Sequence, residues 1–428
     1  MTPHHPSVTG PGRVTGHVSV AGHRRVTAHR DRIAGLLAPL ADLPLHRVPL
    51  SAGLGAALGE DLVAPVSLPP FDNSQMDGFA VRSADFRGDL DGGPRAFTVA
   101  DPIPAGAVPA PLAPGHAAPI MTGAMMPPGA DAVVPVERAV PSTYPAPGET
   151  VGLPPVEAGT YVRRAGSDVE AGAVVLRAGA ALGAAQIGLA AGLGIEDVPV
   201  RPALRAVVVS TGAELAAPGT ALAPGQIHDA NGPLLAAALR ESGLTVGNVA
   251  VRSDEPGELR RELRGLARLG AEDRPDLVIT TGGVSKGAFE ATKLALAGSD
   301  VEFSHLAMQP GGPQGLGTFE GLPIIAFPGN PVSCWISWEV LLRPVLSELL
   351  GAPRHRRVLR APLAHGLASP AGKLQVRRAR LRRDGAAELV GGPGSHLLGA
   401  LAASDALVMV PEDVTELPAG AEVEVWLT

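Results

Sequence analysis

The spacing of apolar positions changes along the chain, and each change predicts a change of architecture. Residues 1–25 have no period and are rich in Gly, His, Pro and Thr, which predicts a flexible tail; the adjacent His4 and His5 are read as solvated there. From Val26 to Leu40 the run VTAHRDRIAGLLAPL repeats apolar residues at helical spacing, and Pro44 marks its end. Between about 90 and 160, short apolar runs such as AFTVA, APIMTGAMM and DAVVPVE are cut by Pro and Gly, the pattern of a small β-rich barrel or sandwich. ALGAAQIGLAAGLG (181–194) is again helical. From 204 onward, strands rich in β-branched residues (LRAVVVSTG, LTVGNVAV, DLVITTGG, VEFSHLAM, LPIIAF) alternate with helices, ending in the long PVSCWISWEVLLRPVLSELLG. That alternation predicts an α/β domain, a doubly wound and mostly parallel sheet covered on both faces. The last segment, 351–428, returns to short strands and predicts a small β-barrel domain.

Composition narrows the function classes. The 428 residues exceed what one core supports, so about three domains are expected. Hydrophobic residues make up 45% and charged residues 18%, enough for globular cores. Aromatics are only 3%, which disfavours a base-stacking surface, and the net charge of -7 gives no bulk attraction to nucleic acid or anionic membrane. Cys334 is the only cysteine, as expected of a reducing compartment. The first 20 residues lack the apolar core of a secretory signal, and no stretch approaches 18 uninterrupted apolar residues. A cytoplasmic protein without nucleic-acid or membrane partners is the expectation.

Ligands of open parallel sheets bind beyond the carboxyl ends of the strands. The segments expected there are STGAE (Ser210, Thr211, Gly212, Glu214) with GQIHDAN (Asp229, Asn231), then Asp254, then TTGGVSKG (Gly282, Gly283, Ser285) with Glu290 and Lys293. QPGGPQG (Gln309, Pro310, Gly311) and PGNPVS (Pro328, Gly329, Asn330, Ser333) complete the set. Glycine lets backbone amides approach phosphate oxygens, and a following helix N-terminus adds about 0.3–1 kcal/mol of attraction for an anion. Carboxylates at the same edge repel that anion unless a cation lies between them. Magnesium held by Asp254, Glu290 and Glu214 resolves the conflict. The competing reading makes each glycine a tight turn and each acid a helix-start residue, most plausibly at Asp254, just ahead of Pro256.

Together with PPFDNSQMDGFAV (69–81), IMTGAMMP (120–127), RAGSDVEAG (164–172) and GSHLL (394–398), these loops resemble, in order and spacing, the molybdopterin molybdenumtransferase family of MoeA type, related to the gephyrin E domain. The resemblance runs from about residue 26 to the C-terminus. It implies an N-terminal α+β domain (26–68 and 160–203) interrupted by a β-rich domain (69–159), then the α/β domain (204–350) and a C-terminal β-barrel (351–428). It also implies a homodimer whose active site lies between the α/β domain of one subunit and the MDG-containing region of the other. The implied reaction is Mg²⁺-dependent cleavage of adenylylated molybdopterin, with transfer of molybdate to the dithiolene and release of AMP. Contact with the molybdopterin adenylyltransferase and with molybdoenzyme maturation proteins is a further expectation. By motif match, Asp77, Thr122, Asp168, Glu214 and Asp254 correspond to functional positions, with Glu290 and Lys293 beside them. Ser395 and His396 are candidate substrate contacts, His396 either facing the pterin or packing as a structural histidine.

The chain departs from the family pattern in several places. Glu290 stands where Asp is common, Ala213 where an acid is frequent, and His305, Gln309 and Gly312 where many members carry lysine. Lys286 and Lys293 are the nearby candidates to restore the lost charge. Two alternatives follow, a non-catalytic molybdopterin-binding paralogue and a molybdopterin adenylyltransferase. The flanking domains and the MDG motif weigh against the second, and the retained carboxylates against the first.

Overall fold

The computed structural model describes residues 25–86, 93–251, 253–284, 291–351 and 355–428. They form two packed units, one of Pro44–Pro202 and one joining the chain through Leu43 to Ala203–Thr428.

The Pro44–Pro202 unit is built around a five-stranded sheet in the order Ala132–Pro135, Gly78–Val81, His116–Ile120, Arg95–Val99, Thr150–Leu153. Alternation along Gly78–Val81 sorts its side chains into two cores. Phe79 and Val81 pack with Phe97, Val134 and Val151, while Ala80 packs with Ala118, Ile120 and Val133. Gly78, the glycine of the MDG motif, lies so close to the Val134 carbonyl that a Cβ would collide with it. Smaller strand pairs, among them His46–Pro49 with Asp197–Val200, complete the unit.

In the other unit, Val26–Leu37 forms α1. The α/β segment then runs β1 (Arg205–Thr211), α2 (Asn231–Glu241), β2 (Thr245–Val251), α3 (Pro256–Ala267), β3 (Leu277–Thr281), α4 (Ala291–Ala295), β4 (Glu302–His305), β5 (Met308–Gln309), β6 (Pro313–Phe319), β7 (Leu322–Phe327) and α5 (Pro331–Ser337). A buried π-helical turn, Trp338–Leu342, joins α5 to α6 (Arg343–Leu350). The main sheet has the order β2-β1-β3-β7-β6-β4. Strands β2, β1, β3 and β7 are parallel, whereas β6 is antiparallel to both β7 and β4. The sheet is therefore mixed. The sequence reading placed QPGGPQG in a loop, but its second half opens β6. Gly315 and Gly317 hide the strand in the sequence, and the chain needs them: a Cβ at 315 would meet the Phe303 ring, and one at 317 the Asp300 carbonyl. Because β6 alone reverses, β4 still points with the parallel set and delivers His305 to the edge where β1, β3 and β7 end.

The C-terminal segment adds β8 (Arg357–Pro362), β9 (Leu374–Leu381), β10 (Ala387–Leu389), α7 (Leu398–Ala402), β11 (Ala406–Val410) and β12 (Glu422–Leu427). Its sheet has the order β5-β9-β11-β12-β8, with β10 on β9. Strand β5 leaves the α/β segment to pair with β9, Met308 opposite Leu374 and Gln309 opposite Gln375.

Helix α1, grouped with 44–68 in the sequence reading, packs instead in this second unit. Its apolar stripe, Ile33 and Leu37, is fully buried in a cluster with Leu204, Leu239 and Leu342. His29 is buried on the same helix, and neither ring nitrogen has a hydrogen-bond partner among the described residues. Burial alone lowers its pKa from 6.5 to about 4. A histidine depressed in the folded state is fully stabilising above its unfolded pKa and loses that contribution as pH falls. Stability is therefore expected to drop between pH 6.5 and 4, by about 3 kcal/mol from this residue. His29→Leu should flatten that part of a urea-denaturation pH profile; an unchanged slope would contradict the assignment.

Candidate functional site

The carboxyl ends of β1, β2, β3, β4 and β7 open on one cleft of about 920 Å³. The structure brings together there Ser210, Thr211, Gly212, Glu214, Asp229, Asn231, Asp254, Gly282, Gly283, Gln309, Pro310, Gly311, Pro328, Gly329, Asn330, Ser333 and Ser395, all nominated from sequence. His228 and Thr281, inside the nominated loops GQIHDAN and TTGGVSKG but not singled out there, also line it, as does Lys373, which no nominated segment contains. Thr281 ends the buried β3 run. Lys373 belongs to the C-terminal segment, and no local pattern connects it to the cleft.

The loops are tied to one another. Asn231 Nδ2, at the start of α2, donates to Thr281 Oγ1 (2.8 Å) and to the Gly329 carbonyl (2.6 Å). One side chain thus joins the loops after β3 and β7. Gly282 and Gly283 have φ of +102° and +64°, and a Cβ on either would press on Thr211 O or Thr292. Thr292 Oγ1 closes this turn by donating to the Gly282 carbonyl at 2.8 Å. Asn231→Ala removes both bonds and is expected to cost about 1–3 kcal/mol in denaturant unfolding. Loss of less than the assay error would show that the loops hold without it.

The carboxylates take different roles. Asp229 is buried and accepts the Gly232 amide at 3.0 Å, satisfying one first-turn donor of α2. Asp254 is exposed and does not cap its own helix α3, whose N-cap, Glu255, makes no side-chain cap either. Its Oδ1 instead accepts the Ala213 amide of the STGAE loop at 3.2 Å. Glu214 is exposed too, and its carboxylate folds back over Gly212. Adjacent loops therefore present two exposed carboxylates to the cleft, a hard-oxygen donor set that fits Mg²⁺ completed by water and phosphate oxygens. The described residues contain no preassembled group of three metal-ligating side chains. Glu290, the third expected ligand, lies outside the described residues, as do Ser285 and Lys286.

Two polar atoms on the cleft wall, Ser210 Oγ and Asn231 Oδ1, are buried without a hydrogen-bond partner among the described residues. They offer a donor–acceptor pair to a polar ligand. Gln309 Oε1 accepts from Gln375 Nε2 at 2.9 Å, so β9 fixes that side chain. The His305 ring lies over Gly312, where a Cβ would stand 2.5 Å from Nε2. A side chain at 312 and the imidazole in this position exclude each other, so the replacements at 305 and 312 are coupled. Cys334 lies behind the wall, and burial pushes its thiol to about 12, which leaves it unreactive.

Other nominated residues lie elsewhere. The Lys293 ammonium sits 5.8 Å from the Phe303 ring centroid and does not line the cleft. His396 is exposed beside Gly394 and does not line it either. Asp77, Thr122 and Asp168 belong to the Pro44–Pro202 unit. There Asp77 Oδ1 accepts the Thr122 amide (2.6 Å) and hydroxyl (2.8 Å). These bonds, the amide first, lower the Asp77 pKa and keep it ionised. Asp168 is exposed, with its amide bonded to the Leu68 carbonyl.

A mixed α/β sheet with a polar, glycine-lined cleft at its strand ends, joined to a small β domain, defines an α/β ligand-binding protein whose cleft suits an anion. The chain belongs to the MoeA family. Residues 24–194 match the MoeA N-terminal region (domain I and II), 207–348 a probable molybdopterin binding domain, and 360–428 the MoeA C-terminal region (domain IV). It is 44% identical over 389 residues to molybdopterin molybdenumtransferase 2 of Mycobacterium tuberculosis, covering 89% of this chain and 94% of that one. It is 33% identical over 374 residues to the molybdopterin molybdenumtransferase of Haemophilus influenzae, covering 86% and 89%. Among solved structures, a molybdopterin biosynthesis MoeA protein from Pyrococcus horikoshii superposes with a TM-score of 0.78 at 26% identity, over 94% of this chain and 99% of the other.

Proposed function

We propose that the chain is a molybdopterin molybdenumtransferase, which inserts molybdate into adenylylated molybdopterin with Mg²⁺-dependent release of AMP during molybdenum cofactor biosynthesis. The observation that carries this reading is the placement of Asp254. It is not spent on its own helix but binds the neighbouring loop, so that its carboxylate and that of Glu214 stand where an anionic ligand meets the strand ends. A protein that only bound an anion would gain nothing from two such carboxylates. Magnesium, when bound, supplies the charge that lets phosphate and carboxylate oxygens share one space.

The chain's own residues do the remaining work. Gly282 and Gly283 bring backbone close to phosphate oxygens, and α2 opens at the cleft with its positive end. Ser210 and Asn231 offer the polar contacts that orient the ligand, and the bond from Gln375 holds Gln309 still. Glu290, outside the described residues, is proposed as a further carboxylate for the cation and Ser395 as a substrate contact, whereas Lys293 and His396, which do not line the cleft, are left out of it. By family correspondence, Asp77, Thr122 and Asp168 are proposed as functional positions. A homodimer is proposed as the working form and the cytoplasm as its location, with the molybdopterin adenylyltransferase and molybdoenzyme maturation proteins as partners. Among the described residues, no helix is long and apolar enough to cross a membrane. The reading is tested by following AMP release from adenylylated molybdopterin with molybdate present, with and without chelation of Mg²⁺. Release that stops on chelation and returns with Mg²⁺ supports it, and release indifferent to chelation contradicts the metal role.

A further inference from the structure

In the Pro44–Pro202 unit, the loop that follows Val140 lays Tyr144 against the strand that begins beside Asp77. We propose that Tyr144 and Asp77 form a recognition site for an uncharged fused aminoheterocycle, the pterin or the adenine of the substrate. The phenol donates to the ring system, and the free carboxylate oxygen accepts from its amino group. This rests on the molybdenumtransferase reading given above and assigns a role to a tyrosine that no motif marks.

Three observations support it. First, the two groups share a face. Pairing of Gly78–Val81 with Ala132–Pro135 continues one step to Asp77, whose carbonyl accepts the Val136 amide at 3.2 Å. Alternation then puts Asp77 on the side of Phe79, and the Tyr144 ring packs on Phe79 with 5.4 Å between centroids. Phe79 is fully buried whereas Tyr144 is 40% exposed, so the tyrosine closes the rim of that core and leaves part of its ring open. Second, the polar atoms are complementary and unspent. Asp77 Oδ1 takes both Thr122 bonds, and among the described residues neither Asp77 Oδ2 nor the Tyr144 hydroxyl has a hydrogen-bond partner. Burial first, and then the charges of Asp77 and Glu137, raise the Tyr144 pKa, so the phenol keeps its proton and can donate. A free acceptor with a free donor matches the amino group and adjoining ring nitrogen or carbonyl of a purine or pterin. The same two carboxylates repel phosphate and molybdate, so the surface suits an uncharged ligand. Third, the loop is held. Val140 and Gly152 exchange two backbone bonds of 2.8 Å, and Glu149 accepts the Ala146 amide at 2.7 Å. A pinned segment thus presents the ring, as a stacking platform requires.

The chain has two tyrosines of similar exposure, Tyr144 at 40% and Tyr161 at 37%, so nitration with peptide mapping reads one against the other. Pterin or adenosine, neither of which carries phosphate, is expected to slow nitration of Tyr144. Protection by pterin alone assigns the site to the pterin of the substrate, and protection by adenosine alone to its adenine. In calorimetric titration, Tyr144→Phe should bind the protecting probe about three- to tenfold more weakly, the loss of one hydrogen bond. Tyr144→Ala should bind it more weakly still, and thermal unfolding of Tyr144→Phe should be unchanged. Asp77→Asn keeps an oxygen for Thr122 but turns the free atom into a donor, so it should also weaken the probe. With adenylylated molybdopterin, KM should rise in Tyr144→Phe by the same factor while kcat changes little. Nitration indifferent to both probes, or unchanged probe affinity in Tyr144→Phe, would overturn the proposal. So would Asp77→Asn binding tungstate more tightly with no loss of the heterocycle, the behaviour of an oxyanion site. The two readings fail separately. Molybdate-dependent AMP release with wild-type KM in Tyr144→Phe removes the recognition site and keeps the transferase. Probe binding that depends on Tyr144, without AMP release, removes the transferase and keeps the site.

Discussion

Asp254→Ala is expected to give a folded protein whose AMP release falls about 100-fold or more, the scale on which loss of several kcal/mol of metal-assisted charge stabilisation acts. The fold survives because Asp254 is exposed and contributes one 3.2 Å bond to the Ala213 amide. Losing such a bond costs about 1 kcal/mol. Asp254→Asn separates the two roles. The amide oxygen still accepts from Ala213, but the charge that a cation requires is gone. Both variants should therefore lose turnover alike, with affinity for Mg²⁺ reduced in parallel. If the asparagine variant turned over normally, the carboxylate would be a loop tether and no more.

The second large effect concerns stability. Glu339 lies fully buried on the π-helical turn, and Arg356 grips it with two bonds, Nη2 to Oε1 at 2.8 Å and Nε to Oε2 at 2.9 Å. Arg343, one helical turn away and also buried, approaches Oε1 at 3.5 Å. This cluster ties the end of the α/β segment to the chain entering the C-terminal sheet. Glu339→Ala removes the carboxylate that both guanidinium groups share and leaves Arg356 the exposed Glu241 at 3.4 Å, and losses of this kind run to about 3 kcal/mol. All three tryptophans, Trp335, Trp338 and Trp426, lie in this unit, so their fluorescence reports its unfolding directly. The denaturant midpoint should drop clearly in Glu339→Ala. A triple change of Glu339, Arg343 and Arg356 to apolar residues of similar size should recover much of the loss, since no unpaired charge then remains. A midpoint unmoved in the single variant would show the cluster to be solvated.

Much of this molecule can be read from sequence because the signals are local. Strands such as LRAVVVST and DLVITT are continuous β-branched runs, and the loops after them carry the residues that line the cleft. What escaped depends on contacts between distant segments. Strand β6 looked like a loop because its glycines, which sequence patterns read as turns, make room for Phe303 and the Asp300 carbonyl. Helix α1 was grouped with the N-terminal domain through the family resemblance, whereas its buried Ile33 and Leu37 join a core formed by residues beyond 203. Lysine compensation was sought at 286 and 293, near in sequence to the lost positions. Of these, Lys293 does not line the cleft and Lys286 lies outside the described residues, while Lys373, which no local pattern marks, does line it, beside the pairing of β5 with β9. The coupling of His305 with Gly312 likewise appears only when the imidazole is seen above the glycine.

The central claim is that this cleft transfers molybdenum rather than merely holding a pterin. It is tested most directly by measuring AMP release from adenylylated molybdopterin, with Mg²⁺ and micromolar molybdate, against a control without molybdate. The account predicts AMP release that depends on molybdate. Tight binding of the substrate with no release under either condition would contradict it, and would make the chain a binding protein built on a transferase fold.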